Sequence, residues 1–241
     1  MLCSVELPIK YLPYSILFDF DFVIASTCVS HPEYLTYFLH APRRFMILDN
    51  GAFETGEAMN DQDYIALARK LQPNILVIPD VYKDNAATGM RAINFLNTWE
   101  EGPIGGVELM GVLQGDHPRM LDSMIKIIYK DLKWLALPYA TGLDRFQFLK
   151  ARPHIQNVHI LGLPTAIEAI ALRELPCVRS VDSSIPVKCT VEHKYIDIEH
   201  SANKYAHPAT EDLDELLLQY NLQAFTSMCT NGLNRGQYAS S

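Results

Sequence analysis

The sequence predicts an α/β protein, a (β/α)8 barrel of the TIM type that is short for its class, and three observations carry this. Short, nearly continuous apolar runs recur along the chain, amphipathic helical patterns lie between them, and each run ends on a polar or turn-forming residue. Runs that are apolar throughout read as strands buried on both faces, as in a parallel sheet. In such a barrel the C-terminal strand ends converge on one face, where the chemistry sits. A doubly wound open sheet is the other reading, and no G-x-G-x-x-G fingerprint supports its dinucleotide-binding form.

In chain order, a strand is read from Phe22 to Ser26, and a helix from Ser30-His31-Pro32-Glu33, where proline suits a first helical turn. Phe45-Met46-Ile47-Leu48 leads to Asp49. Asn60-Asp61-Gln62-Asp63 opens a helix whose apolar face is Tyr64, Ile65, Leu67, Ala68 and Leu71. Ile75 to Pro79 ends on Asp80, and Asp84 caps a helix carrying Met90, Ile93, Phe95 and Leu96. Leu109 to Leu113 ends on Gln114, and the helix after Pro118 carries Met120, Leu121, Met124, Ile127 and Ile128. Leu135-Ala136-Leu137 ends on Pro138-Tyr139, Val158-His159-Ile160-Leu161 on Gly162, and Val178-Arg179-Ser180-Val181 on Asp182. Further helices fit Leu143 to Ala151, Thr165 to Arg173 and Thr210 to Tyr220, and an eighth strand is sought at Leu222-Gln223-Ala224-Phe225. The even apolar content predicts a single domain over 1–241, with a polar, His-rich excursion at 189–208 and a flexible tail at 234–241.

Half of the residues are hydrophobic and a fifth charged, ordinary for a globular protein. No apolar run reaches the roughly 18 residues of a membrane span. The stretch from Ser15 to Ala25 is broken by Asp19 and Asp21, so it reads as neither signal peptide nor anchor, and a cytoplasmic location is expected. The five cysteines are scattered with no C-x-x-C pair, which fits reduced thiols better than a disulfide framework or a four-cysteine zinc site. Cys189, His193, His200 and His207 match no common zinc spacing and read as solvated loop residues, so no obligatory cofactor is expected. A net charge of −8 does not favour a nucleic-acid partner, although binding depends on the local field rather than on the sum.

Four strand-end side chains carry the chemistry. Asp49 precedes Asn50-Gly51 and is as well explained by capping a strand-end turn as by catalysis. Asp80 is released from capping duty by the better placed Asp84. A carboxylate beside a primary amide suits the Watson–Crick edge of guanine: Asp80 accepts from N1–H and N2–H, and Gln114 donates to O6. Asp182 is a reasonable nucleophile toward an anomeric carbon, with Asp49 to manage protons on the base. Taken alone, Asp182 reads better as a helix cap or a salt-bridge partner of Arg179 or Lys188. His117 reads as a loop residue, His159 as a core histidine, and the aromatics from Tyr11 to Phe22 as core. Arg119 and Lys188 are candidate phosphate contacts.

Taken in order, these motifs resemble the tRNA-guanine transglycosylase superfamily. Its Asp-Ser-Gly-Gly-(Phe/Tyr)-Gln motif matches Asp49-Asn50-Gly51-Ala52-Phe53-Glu54, its Asp-Glu-Cys strand end Asp80-Val81-Tyr82, and its Gly-x-x-Gln-Gly Gly111-Val112-Leu113-Gln114-Gly115. Its Gly-Leu-Ala-Val-Gly segment is similar to Trp134 to Pro138, its His-x-Leu-Gly to His159-Ile160-Leu161-Gly162, and its Phe-Asp-x-x-x-Pro-Thr-Arg to Val181-Asp182-Ser183-Ser184-Ile185-Pro186-Val187-Lys188.

The resemblance implies Asp182 as nucleophile and Asp49 as general acid/base. It implies base binding by Asp80, Gln114, Gly115 and Gly162, and by the Leu135-Ala136 backbone. Trp134 and Pro138 stand where the family has glycines, and the Cys-x-Cys-x-x-Cys zinc subdomain has no counterpart. The chain therefore looks like the compact phage-type branch (DpdA type), which implies exchange of guanine in DNA for a 7-deazaguanine such as preQ0 through a covalent aspartyl-deoxyribose. DNA and the free base are the expected partners, with no membrane. The alternatives are the same chemistry on tRNA, a non-catalytic nucleic-acid-binding partner subunit, and a barrel hydrolase acting on a nucleoside.

Overall fold

A computed structural model describes residues 1–139, 142–197 and 212–230. Among these, eight parallel strands form one sheet in the order β1-β8-β7-β6-β5-β4-β3-β2. They are β1 (Leu2–Val5), β2 (Asp21–Ile24), β3 (Met46–Asp49), β4 (Ile75–Val77), β5 (Glu108–Val112), β6 (Trp134–Pro138), β7 (Val158–Leu161) and β8 (Val178–Ser183). The sheet curls into a nearly closed (β/α)8 barrel. β1 lies against β8, and at the seam with β2 the Asp19 N–H donates to the Cys3 carbonyl at 3.1 Å while Cys3 N–H donates to Asp19 Oδ2 at 2.9 Å.

The connecting helices are α1 (Ala25–Ser30), α2 (Pro32–His40), α3 (Ala52–Thr55), α4 (Asp61–Leu71), α5 (Asn85–Glu100), α6 (Pro118–Ile127), α7 (Arg145–Lys150), α8 (Ala166–Leu172), α9 (Ile185–Val191) and α10 (Glu215–Thr230), with a 3-10 helix over Ile9–Leu17. Asn60 and Asp84 cap α4 and α5 as expected, accepting from Gln62 and Ala87 N–H. Asp144 and Thr165 cap α7 and α8 in the same way.

Two apolar layers follow from the period-two pleat of the strands. Phe22, Ile24, Ile47, Ile75, Val77, Met110, Val112 and Ala136 fill the barrel interior, and their strand neighbours, such as Val23, Leu48, Leu76 and Ile160, pack outward against the helices. On the β1, β7 and β8 side the interior is polar instead: Ser4, His159, Ser180 and Asp182 are all buried.

The eighth strand is β1, not Leu222–Phe225, which lies inside α10. Leu218, Leu222, Phe225 and Cys229 are all buried and recur every three or four residues, a helical stripe that a four-residue window conceals. The strand expected from Phe22 to Ser26 spans Asp21–Ile24, and a helix already begins at Ala25. The helix expected from Thr210 to Tyr220 is α10, which runs to Thr230. Cys189 to Val191, the start of the expected excursion, belong to α9, where Cys189 and Thr190 are buried. The rest of that excursion from residue 198, including His200 and His207, and the tail at 234–241 lie outside the described residues. No described helix is long and apolar enough to cross a membrane.

Candidate active site

A cavity of about 110 Å³ opens at the C-terminal end of the barrel. Asp49, Asp80, Gln114, Gly162 and Asp182 all line it, so strand ends far apart in sequence meet around one hollow. The size suits a small ring system, since pockets for drug-sized ligands run to roughly 300–1,000 Å³. Glu6, Phe22, Asn50, Phe53, Glu54, Tyr82, Pro138 and Tyr139 also line it. Among the described residues of the lining, five are carboxylic and none is lysine, arginine or histidine.

Asp182 is 2 % exposed. Its Oδ1 accepts from His159 Nε2 at 3.0 Å, and the Gly162 N–H reaches Oδ1 and Oδ2 at 3.1 and 3.2 Å. His159 in turn bonds Ser180 Oγ through Nδ1 at 2.8 Å and stacks on Phe22 with ring centroids 5.6 Å apart. The expected core histidine is therefore also the support of the aspartate. Neither proposed salt-bridge partner is used: Arg179 is exposed, and the Lys188 ammonium lies 3.6 Å from Glu192.

Behind Gly162 stands Arg145, 3 % exposed. Its guanidinium pairs bidentately with Glu168 at 2.9 Å on both branches and donates to the carbonyls of Leu137, Leu161 and Gly162 at 3.1–3.2 Å. One buried cation thus ties the ends of β6 and β7 together and holds the Leu161–Gly162 peptide unit, whose N–H donates to Asp182, together with the unit after it.

Asp49 Oδ2 accepts from Gly51 N–H at 2.9 Å, the capped turn anticipated from sequence. Its Oδ1 accepts no hydrogen bond from a described residue. Burial, then the Glu54 charge, push the Asp49 carboxyl well above the usual carboxylate range, with Asp80 and Asp182 adding to the rise.

Asp80 and Gln114 form a connected array. Gln114 Nε2 donates to Asp80 Oδ2 at 2.6 Å, Asn50 Nδ2 donates to Asp80 Oδ1 at 2.8 Å, and Gln114 Oε1 accepts from Lys83 N–H at 3.1 Å. The Lys83 amide fixes which end of the Gln114 amide faces Asp80. Burial raises the Asp80 carboxyl, and the two amide donors pull it partly back.

No protein-family model and no curated protein matches this chain. The site must be read from its own geometry. Among the described residues no group of three or more histidine, cysteine or acidic side chains is arranged to hold a metal ion, and the five cysteines are free. Cys189 is buried, and burial pushes its thiol up to about 12.

Not every expected site residue reaches the cavity. Leu135 packs in the outer layer and Ala136 in the barrel interior, one layer too deep. β6 extends to Pro138, so Pro138 and Tyr139 occupy the rim where the Leu135-Ala136 backbone was expected. Gly115 has φ +102° and abuts Asn85, outside the lining. Lys188 is only 7 % exposed in α9 and lies outside the lining. Arg119 is exposed in the first turn of α6, on the face that bears the cavity.

Sequence reasoning passed over Glu6, Asn50 and Ser180. Glu6 ends the run Leu2-Cys3-Ser4-Val5, the signature used for the other strands, but the run is short and opens the chain. His159 and Ser180 lie at inward positions of β7 and β8, readable from alternation once the strands are in register.

Proposed function

We propose that this chain is a base-exchanging transglycosylase that replaces guanine in DNA with a 7-deazaguanine base. The observation that carries the reading is the meeting, around one cavity, of an aspartate held by His159 and Gly162 with the Asp80–Gln114 pair. The first suits attack on an anomeric carbon, and the second suits the Watson–Crick edge of guanine.

In this mechanism an Asp182 oxygen attacks C1′ and the C1′–N9 bond breaks, its electron pair going to the departing guanine. Asp49, kept protonated by its surroundings, supplies the proton to that base, and a deoxyribosyl ester remains on Asp182. A 7-deazaguanine then enters, loses its N9 proton to Asp49 and displaces Asp182 from C1′. Asp80 has lone pairs left for N1–H and N2–H, and Gln114 Nε2 has a second hydrogen for O6. Phe53 and Tyr82, packed edge to face at 5.7 Å, and Tyr139 give the mouth aromatic surfaces for stacking. Because the lining is acidic, the phosphates stay outside and only the flipped nucleoside enters, at an unstacking cost of a few kcal/mol. Arg119 is the basic residue proposed to meet a phosphate at the rim.

The acidic lining and the net charge of −8 favour a second reading, hydrolysis of a free nucleoside. One assay separates them: labelled guanine incubated with protein and duplex DNA, tRNA or deoxyguanosine. Label entering DNA supports the proposal, label entering tRNA moves the same chemistry to RNA, and free deoxyribose from deoxyguanosine supports the hydrolase. Asp182→Ala is expected to abolish incorporation and the denaturant-stable protein–DNA adduct, and full exchange by that variant removes Asp182 from its role. Absence of both adduct and exchange in the unaltered protein points to a non-catalytic partner subunit.

A further inference from the structure

Among the described residues of the cavity lining, Glu6 is the one carboxylic side chain with neither a role in the proposed exchange nor a motif match. It directly follows β1, which pairs with β8 so that Ser4 faces Asp182 and Val5 faces Ser183. The Glu6 N–H continues this ladder to the Ser183 carbonyl at 3.2 Å. Cys3 and Val5 pack outward, so alternation turns Ser4 and Glu6 inward, and Glu6 lines the cavity one step above Ser4. There its carboxyl shares the cavity wall with that of Asp182, near enough for the two to interact directly.

Two carboxyl groups in hydrogen-bond contact hold one proton between them, since neither offers a donor when both are ionised. The surroundings decide which keeps it. His159 Nε2 and the Gly162 N–H both point at Asp182, and both stabilise an anion there. The charged groups that bear on Glu6 are further acids, Glu54 from α3 and Asp49 from β3 besides Asp182, with the Tyr34 phenol of α2 also nearby, and among the described residues no lysine, arginine or histidine lines the cavity.

We propose that Glu6 is the proton-bearing partner of Asp182, a positioning residue whose O–H holds the nucleophile as an oriented anion. Burial first, then the Asp182 charge, raise the Glu6 carboxyl well above the usual range, in keeping with that assignment. The role rests on Asp182 being the nucleophile. As the Asp182–C1′ bond forms and the C1′–N9 bond breaks, the charge leaves Asp182 for the base, which Asp49 protonates. Glu6 keeps its proton throughout, now donating to the ester oxygen. When the C1′–O bond breaks toward Asp182 in the second half, the same O–H stabilises the returning carboxylate.

The test is a titration of the full chain carrying carboxyl-labelled glutamate, followed by carbon NMR, with the Glu6 resonance assigned by its loss in Glu6→Gln. The expected result is a Glu6 midpoint well above the ordinary glutamate range that falls toward that range in Asp182→Asn. A Glu6 that titrates normally, or one that Asp182→Asn leaves unmoved, overturns the proposal. In the exchange assay Glu6→Gln, which keeps a donor, is expected to lose less than about tenfold in kcat. Glu6→Ala is expected to lose about 100-fold with KM changed far less, the order seen when one aligned donor is removed. The alkaline fall in rate caused by ionisation of Glu6 is expected to vanish in Glu6→Gln. Equal losses in the two variants, or an unchanged pH profile, overturn the role in turnover. If the unaltered protein exchanges no base, the transglycosylase reading falls, while the titration still decides whether the pair shares a proton.

Discussion

Asp182 is a buried acid held by an imidazole nitrogen and a peptide N–H. An arginine or lysine at this distance would hold the carboxylate more tightly and spend its nucleophilicity in a salt bridge. His159 orients the oxygen without that cost, and Ser180 fixes the ring. Ser180→Ala keeps the ring but frees Nδ1. It is expected to cost about 1 kcal/mol of stability, the net worth of one buried hydrogen bond, and to lower kcat several-fold with little change in KM. Thermal unfolding and single-turnover kinetics read the two effects separately. Asp182 was legible as a chemical group because it ended an apolar run. Its partner was not, because a histidine between Val158 and Ile160 has the same sequence context whether it is inert or supports a carboxylate.

The turn from β3 into α3 shows how backbone conformation aims a side chain. Gly51 has φ +78°, and a Cβ there would lie 2.5 Å from Ser26 Oγ. Gly56, at the other end of α3, has φ +85° but nothing within 4 Å of a Cβ. Both glycines avoid the roughly 1–2 kcal/mol that a left-handed conformation costs an L-residue, and only Gly51 also avoids a clash. Gly51→Ala is therefore expected to destabilise the protein by clearly more than Gly56→Ala and to lower exchange activity by displacing Asp49, whereas Gly56→Ala leaves kcat near its starting value. Denaturant melts and exchange rates of the two variants, measured together, check this. The turn was readable from Asp49-Asn50-Gly51, as were the Asn60 and Asp84 caps, because turn and cap preferences act over a few residues. The misplaced eighth strand fails for the complementary reason: four residues contain one period of a helix and two of a strand, so the window cannot choose.

Burying Asp49 among other acids costs stability at neutral pH, and the cost has a definite sign. Burial, then neighbouring charges, raise Asp49, so the native state keeps a proton that the unfolded chain releases. Below the ordinary aspartate range both states are protonated. As pH rises above it, the unfolded state gains from ionising and native stability falls, until folded Asp49 itself ionises. Asp49→Asn keeps the acceptor for Gly51 and removes this penalty. It is expected to unfold at a higher temperature than the unaltered protein at neutral pH, by about 2–4 °C for each kcal/mol recovered, and at nearly the same temperature in acid. Calorimetry across that range checks the trend, and loss of exchange in the same variant marks the stability as having been traded for function.

Continuous apolar runs, capped helices and strand ends rich in acids follow from amino-acid order, since strand burial, helical period and turn chemistry are local. Those features were sufficient for the barrel and for picking out Asp49, Asp80, Gln114 and Asp182, which line one cavity at its C-terminal end. Which strands become neighbours is a non-local matter of closing long loops over a common core. That closure put β1 beside β8, set Glu6 on the cavity wall with Asp182, slid His159 beneath that aspartate, and left Leu135, Ala136 and Lys188 outside the lining.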